Sequence, residues 1–166
     1  MKTLWLIRHA KSSWADAEQA DIERPLNERG YQDLRFMPER MAAASIPLPE
    51  IFISSPAIRA YSTALIFAKH LRYPTEEIAL RDSLYESSVF DYLEVIAGID
   101  QQHESAVVFG HNPVLTQLIN RISNATLDNL PTCGIAGIAF KTNSWTDVLD
   151  GEGVIRYFDF PKNPAT

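Results

Sequence analysis

The chain has 166 residues, of which 46% are hydrophobic and 22% charged, and it carries a formal net charge of -6. That length suits one compact domain with a substantial core, and the composition is that of a soluble globular protein, which argues against disorder and low-complexity architectures. The acidic balance argues against general nucleic-acid binding, which relies on a positive surface to neutralise phosphates.

Short apolar runs alternate with helix-period segments along the chain. This alternation predicts a single domain over 1–166 of the α/β class, a three-layer α/β/α sandwich whose central sheet is mostly parallel with an antiparallel edge strand. The first strand is expected over Thr3–Ile7, where a near-continuous apolar run marks a strand covered on both faces. A helix should follow from about Asn27 into the Met41 region, kinked or broken at Pro38. Ile51–Ser54 reads as a second strand, and Ile58, Tyr61, Leu65, Ala68 and Leu71 form the inward stripe of the next helix.

A further helix should begin after Ser87 or Ser88, with Val89, Leu93 and Ile96 inward. Ala106–Phe109 is a second central strand, followed by a helix whose stripe is Val114, Leu115, Leu118, Ile119 and Ile122. Ile135–Phe140 and Val154–Phe160 are late strands, and the second alternates as an edge strand does, with a turn at Asp150-Gly151 between them. The single cysteine, Cys133, cannot form an intramolecular disulfide, and the apolar run after Lys2 is too short for a signal-peptide core or a membrane span. A cytoplasmic location is therefore expected, with no membrane partner, and the sequon Asn124-Ala125-Thr126 reads as accidental.

The ends of the three best strands carry the chemistry. The first delivers Arg8-His9, the second Ser54-Ser55-Pro56 with Arg59 one helical turn on, and the third Gly110-His111-Asn112-Pro113. Ligands of open α/β sheets bind in the crevice outside such strand ends. Ser55-Pro56 and Asn112-Pro113 each read as a capping residue before a proline at the first helical position, which would set helix N-termini beside the same crevice. Two arginines, two histidines and a helix N-terminus in an acidic protein make an anion site. Paired guanidinium hydrogen bonds favour phosphate among anions. The arginines would repel a divalent cation, and no cluster has ligand spacing, so no metal is expected. His70 and His103 read as surface residues.

Arg8-His9, Arg59 within "SSPAIRAYSTA" and "GHNP" at 110–113 resemble the histidine phosphatase (phosphoglycerate mutase-like) superfamily, and the chain is most similar to its short SixA-type branch of phosphohistidine phosphatases. The likeness extends through "RHAKSSW", "RPLNERG" and "LPTCGIAGIAF". The resemblance implies that His9 attacks phosphorus and carries the phosphoryl group as a phosphohistidine, that Arg8, Arg59 and His111 hold the phosphate, and that no metal or organic cofactor takes part. The arginines and a protonated His111 would stabilise charge on the equatorial oxygens during in-line transfer. A hydrogen bond from the other ring nitrogen of His9 would fix its tautomer.

Ala10 stands where many members have glycine. Lys11, Ser12 and Asn112 are further candidates for substrate binding, with a solvated loop as the other reading of Lys11 and Ser12. Glu86 in "LYESS" is the candidate general acid, or else a carboxylate favouring a helix N-terminus; Asp16 and Asp21 are weaker candidates, and Arg24 reads as a structural ion pair or a substrate contact. Two substrates follow: a phosphorylated protein of the histidine-phosphotransfer type, or a small phosphoester such as a sugar or nucleotide phosphate. A non-catalytic phosphate-binding module is the third reading.

Overall fold

A computed structural model describes residues 1–164. Six strands form one sheet in the order β3-β2-β4-β1-β5-β6, with β1 Lys2–Arg8, β2 Ile51–Ser54, β3 Ala79–Leu80, β4 Ser105–Gly110, β5 Ile135–Phe140 and β6 Val154–Asp159. Pairings among β3, β2, β4 and β1 are parallel, and those of β5 with β1 and with β6 are antiparallel. The expected edge strand β6 is thus joined antiparallel, and β5 is the strand that runs against the rest. Two-residue β3 caps the opposite edge, and its brevity kept it below the threshold of any sequence pattern.

Leu4 to Ile7 are all fully buried because β1 lies inside the sheet with helices on both faces. Alternate side chains serve opposite cores. Leu4, Leu6, Ala106 and Val108 face α4 (Val89–Ala97) and α5 (Val114–Ile122), whereas Trp5, Ile7, Val107 and Phe109 share a core with α2 (Met37–Ala42), α3 (Ile58–His70) and Leu26 and Leu34, which flank α1 (Glu28–Asp33). Each fully buried aliphatic side chain contributes about 1.5–3 kcal/mol.

The expected interruption near Pro38 separates α1 from α2, and it falls just before the proline, over Leu34–Phe36. The ring would collide with the Leu34 carbonyl in a continuous helix, so Pro38 lies in the first turn of α2 instead. α4 starts after Ser88, whose N–H donates to the Asp91 carboxylate at 2.8 Å. Two helix starts differ from expectation. α3 begins at Ile58 with Ala57 as its cap, because the Ser55 hydroxyl accepts from the Ala57 N–H (3.2 Å) within a turn that precedes the helix. α5 begins at Val114 with Pro113 as its cap, and Asn112 Oδ1 accepts from the Thr116 N–H at 3.2 Å. On the edge strand, Asp159 is buried rather than outward, near Arg40 (3.6 Å) and accepting from the Phe160 N–H.

Candidate active site

Sheet register builds the site. Arg8 of β1 stands opposite Gly110 of β4, and Ser54 of β2 opposite Phe109, so three parallel strands end at one level. The His9 N–H donates to the Gly110 carbonyl (3.1 Å) and the Ser55 N–H to the Phe109 carbonyl (3.0 Å), which carries the order one residue beyond the sheet. His9 and His111 consequently lie side by side, ring centroids 5.3 Å apart. Antiparallel β5 starts at the same edge, and its approach supplies the Leu130 carbonyl that accepts from Arg8 Nη1 at 3.0 Å. A cavity of about 610 Å³ opens there, lined by Arg8, His9, Arg59, His111 and Glu86 among others.

His9 is buried, and its Nδ1 lies 2.7 Å from the Ala10 carbonyl oxygen. A carbonyl only accepts, so Nδ1 bears the proton. Burial, reinforced by the positive charges of Arg59 and Arg8 and by His111 once it protonates, lowers the His9 pKa to about 3. The ring is therefore neutral near pH 7, and its lone pair is at Nε2. Ala10 fits where a glycine is common because its methyl enters the Trp5–Ile7 core, while its N–H donates to Thr63 Oγ1 (3.0 Å) and ties this turn to α3.

His111 Nε2 lies 2.8 Å from Ser55 Oγ. Its backbone N–H donates to the Tyr92 hydroxyl (3.2 Å), which donates in turn to the Leu84 carbonyl (3.3 Å). Burial, together with Arg59 and Arg8, lowers the His111 pKa to about 4. The unliganded ring is neutral near pH 7 because desolvation and two guanidinium groups all oppose a further positive charge, whereas the expected protonated His111 concerns transfer with phosphate present.

Arg59 lies in the first turn of α3 and grips Asp21, Nη1 donating to its backbone carbonyl (2.7 Å) and Nη2 to Oδ2 (3.0 Å). The same carboxylate accepts from Tyr85 Oη at 2.6 Å and from Arg24 Nε at 2.9 Å. Those three donors, Tyr85 foremost, hold Asp21 well below the usual carboxylate range, and burial with this bond pushes Tyr85 up to about 12. Asp21 is thus an ionised clamp rather than a proton donor. Arg24 is confirmed as an ion-pair member, and its Nη1 also reaches Ser12 Oγ (2.8 Å) and the Ser13 carbonyl (3.1 Å). Arg8 Nε and Arg59 Nε are buried without a hydrogen-bond partner among the described residues. Donors left so are costly, and both belong to side chains that line the cavity.

The remaining candidates divide. Glu86 lines the cavity with its backbone in the left-handed region at φ 50°. Lys11 is exposed at the rim, and the Ser12 hydroxyl is occupied by Arg24. Asn112 lines the cavity too, but its amide donates to Asn129 Oδ1 and the Leu130 carbonyl, both at 2.9 Å, and so ties α5 to the approach of β5. His70, His103 and Asp16 do not line it. The "RPLNERG" segment has a mechanical role: Asn27 caps α1 through the Gly30 N–H (2.9 Å) and its N–H donates to the Lys11 carbonyl (2.9 Å). A Cβ on Gly30 would strike that same carbonyl. Sequence reasoning missed Ser55 as the His111 partner, Tyr92 beneath it, and the joint grip of Asp21 on Arg59 and Tyr85. Only the "SSP" junction carried a readable signal, and it was read as a cap.

A neutral, tautomer-fixed imidazole facing two guanidinium groups at the carboxyl edge of a parallel sheet defines a phosphoryl-transfer type of site. The family model described as histidine phosphatase superfamily (branch 1) matches residues 4–94, which include Arg8, His9, Arg59 and Glu86. The chain belongs to that superfamily. It is similar to an uncharacterised chloroplastic protein of Arabidopsis thaliana, with 26% identity over 162 residues covering 92% of this chain and 73% of the relative. Among solved structures it resembles the protein histidine phosphatase SixA complexed with tungstate (TM-score 0.78, 19% identity, 96% of this chain and 97% of the other). It also resembles a candidate phosphohistidine phosphatase SixA from Agrobacterium tumefaciens (TM-score 0.75, 26% identity, 84% and 92%).

Proposed function

We propose that the chain is a protein phosphohistidine phosphatase that works through a phosphohistidine on His9 and needs no metal ion. The observation that carries this reading is the His9 ring: Nδ1–H is committed to the Ala10 carbonyl, and Nε2 is the basic atom in a cavity shared with Arg8, Arg59 and His111. In the first half-reaction Nε2 attacks phosphorus, the P–N bond to the substrate imidazole breaks, and the departing ring takes a proton from water. Water then attacks the His9 phosphoryl group, releasing inorganic phosphate and restoring the neutral ring. Arg8 and Arg59 stabilise charge on the equatorial oxygens, where positioned electrostatics supply most of the catalysis. Departure of an imidazole asks less of a general acid than departure of an alkoxide, which suits a site whose Asp21 is locked in ion pairs.

A cytoplasmic location agrees with the buried single thiol of Cys133. A histidine-phosphotransfer domain phosphorylated on its imidazole should lose its phosphate on incubation with this protein. A denaturing alkaline quench should trap phosphoprotein that is absent in His9→Ala. Turnover of small esters with no action on any phosphorylated domain would overturn the assignment.

The cavity position of Glu86 supports a second reading, a phosphatase of small phosphomonoesters in which Glu86 protonates the leaving oxygen. Glu86→Gln should then slow alkyl phosphates far more than aryl phosphates. Equal effects on both would remove Glu86 from the chemistry.

A further inference from the structure

Trp14 is 76% exposed, the most exposed large apolar side chain among the described residues, and it lies on the rim of the cavity. It is not loose. The Arg24 guanidinium stacks 3.5 Å from its ring centroid, and that guanidinium is itself fixed by Asp21, Ser12 and Ser13. An aromatic ring held rigid in water by a pinned arginine is costly to leave exposed and well prepared to be covered, the character of an interface anchor.

On the other side of Lys11 a second cleft of about 270 Å³ adjoins the cavity, sharing Lys11 and Thr132 with it. Arg29 and Lys162 bring positive charge there, and Phe160 lines the same cleft. Arg29 is paired with Asp33 (3.0 Å), whereas Lys11 and Lys162 have no ion-pair partner among the described residues. In a chain of net charge -6, two unpaired ammonium groups beside the catalytic mouth select for negative charge on whatever docks.

We infer that this rim is the docking surface for the phosphoprotein substrate: Trp14 packs against its surface, and Lys11 and Lys162 meet acidic residues flanking the phosphorylated side chain. The inference rests on the phosphoprotein reading above. It adds that recognition lies outside the phosphate pocket and requires an acidic surround.

Trp5 and Trp145 are fully buried, so collisional quenching by acrylamide reports Trp14 alone. Binding of a phosphorylated histidine-phosphotransfer domain to His9→Ala should shield Trp14 from quencher. Binding that leaves its quenching unchanged would overturn the inference. Trp14→Ala and Lys162→Glu should each lower kcat/KM for the phosphorylated domain about tenfold. Both should leave turnover of p-nitrophenyl phosphate within about twofold, and the salt sensitivity of KM should diminish in Lys162→Glu.

Equal losses on both substrates would place Trp14 in the catalytic cavity and overturn the docking role. Normal kinetics of both variants on a phosphoprotein that the unaltered enzyme does cleave would overturn the docking surface alone. Failure of the unaltered enzyme to cleave any phosphorylated domain would instead remove the phosphoprotein reading and this surface with it.

Discussion

Acidification should weaken the fold through the two active-site histidines, and His9→Ala should remove half of the effect. In the native protein the His9 pKa is about 3 and that of His111 about 4, while in the unfolded chain each returns to the ordinary value of about 6.5. Between those values the unfolded chain binds protons that the native state refuses. Stability is complete above about pH 6.5 and is lost progressively as pH falls toward the native pKa values. At about pH 5 an unfolded histidine is almost wholly protonated, and the cost is about 2 kcal/mol for each ring, or about 4 kcal/mol for the pair. Asp21 does not confuse the reading, since its stabilising contribution is lost only below the ordinary carboxylate range. Urea unfolding at about pH 8 and about pH 5, in buffers free of phosphate and sulfate, measures the change. The unaltered protein should lose about 4 kcal/mol and His9→Ala about 2 kcal/mol. An equal loss in the two proteins would mean that His9 titrates normally in the native state, and the burial-lowered pKa of the ring would fall with it.

Arg59→Lys should lower kcat/KM about a hundredfold, because an ammonium can neither reproduce the two-point grip on Asp21 nor offer a planar fork to phosphate, and steady-state kinetics on the phosphorylated domain would register it. Gly110→Ala should destabilise the protein by about 1–3 kcal/mol, since the added methyl would drive into the Tyr92 hydroxyl that supports the His111 N–H; thermal unfolding checks this, and an unchanged Tm would show that Tyr92 moves without cost.

Much of this architecture was legible because it rests on periodicity and on strand ends. Leu4–Ile7 and Ala106–Phe109 are apolar throughout because both faces of their strands are covered, and a parallel register then obliges Arg8-His9 and Gly110-His111 to emerge together. Arg59 follows from the same rule through β2 and α3. What escaped was whatever depends on distant segments meeting. Asp21 lies in a 3-10 turn without any periodic signal, and nothing in its neighbours announces that Arg59 and Tyr85, far along the chain, converge on it. Asn112 was legible as a cap, but its amide turned toward Asn129 and Leu130 because β5 begins at the site, a consequence of its reversed direction. The helix boundaries at Ser55 and Pro113 shifted because hydrogen bonds of the turns, which sequence does not display, decided them.

The clamp on Arg59 explains how an acidic protein keeps a phosphate site both cationic and ordered. Three guanidinium groups and two carboxylates border the cavity, and both histidines are neutral. Asp21 takes the outer nitrogens of Arg59 and one nitrogen of Arg24, so neither side chain is left to swing in search of a partner. Its negative charge costs some attraction for phosphate, but the donors it fixes need no reorganisation when charge develops on the substrate, and such fixed donors supply most of the stabilisation in phosphoryl transfer. A phosphoryl dianion entering beside His111 would offset the guanidinium charges that, after burial, hold the ring neutral. In the proposed mechanism His111 then takes up a proton in the complex while His9, with Nδ1–H tied to Ala10, serves as the nucleophile.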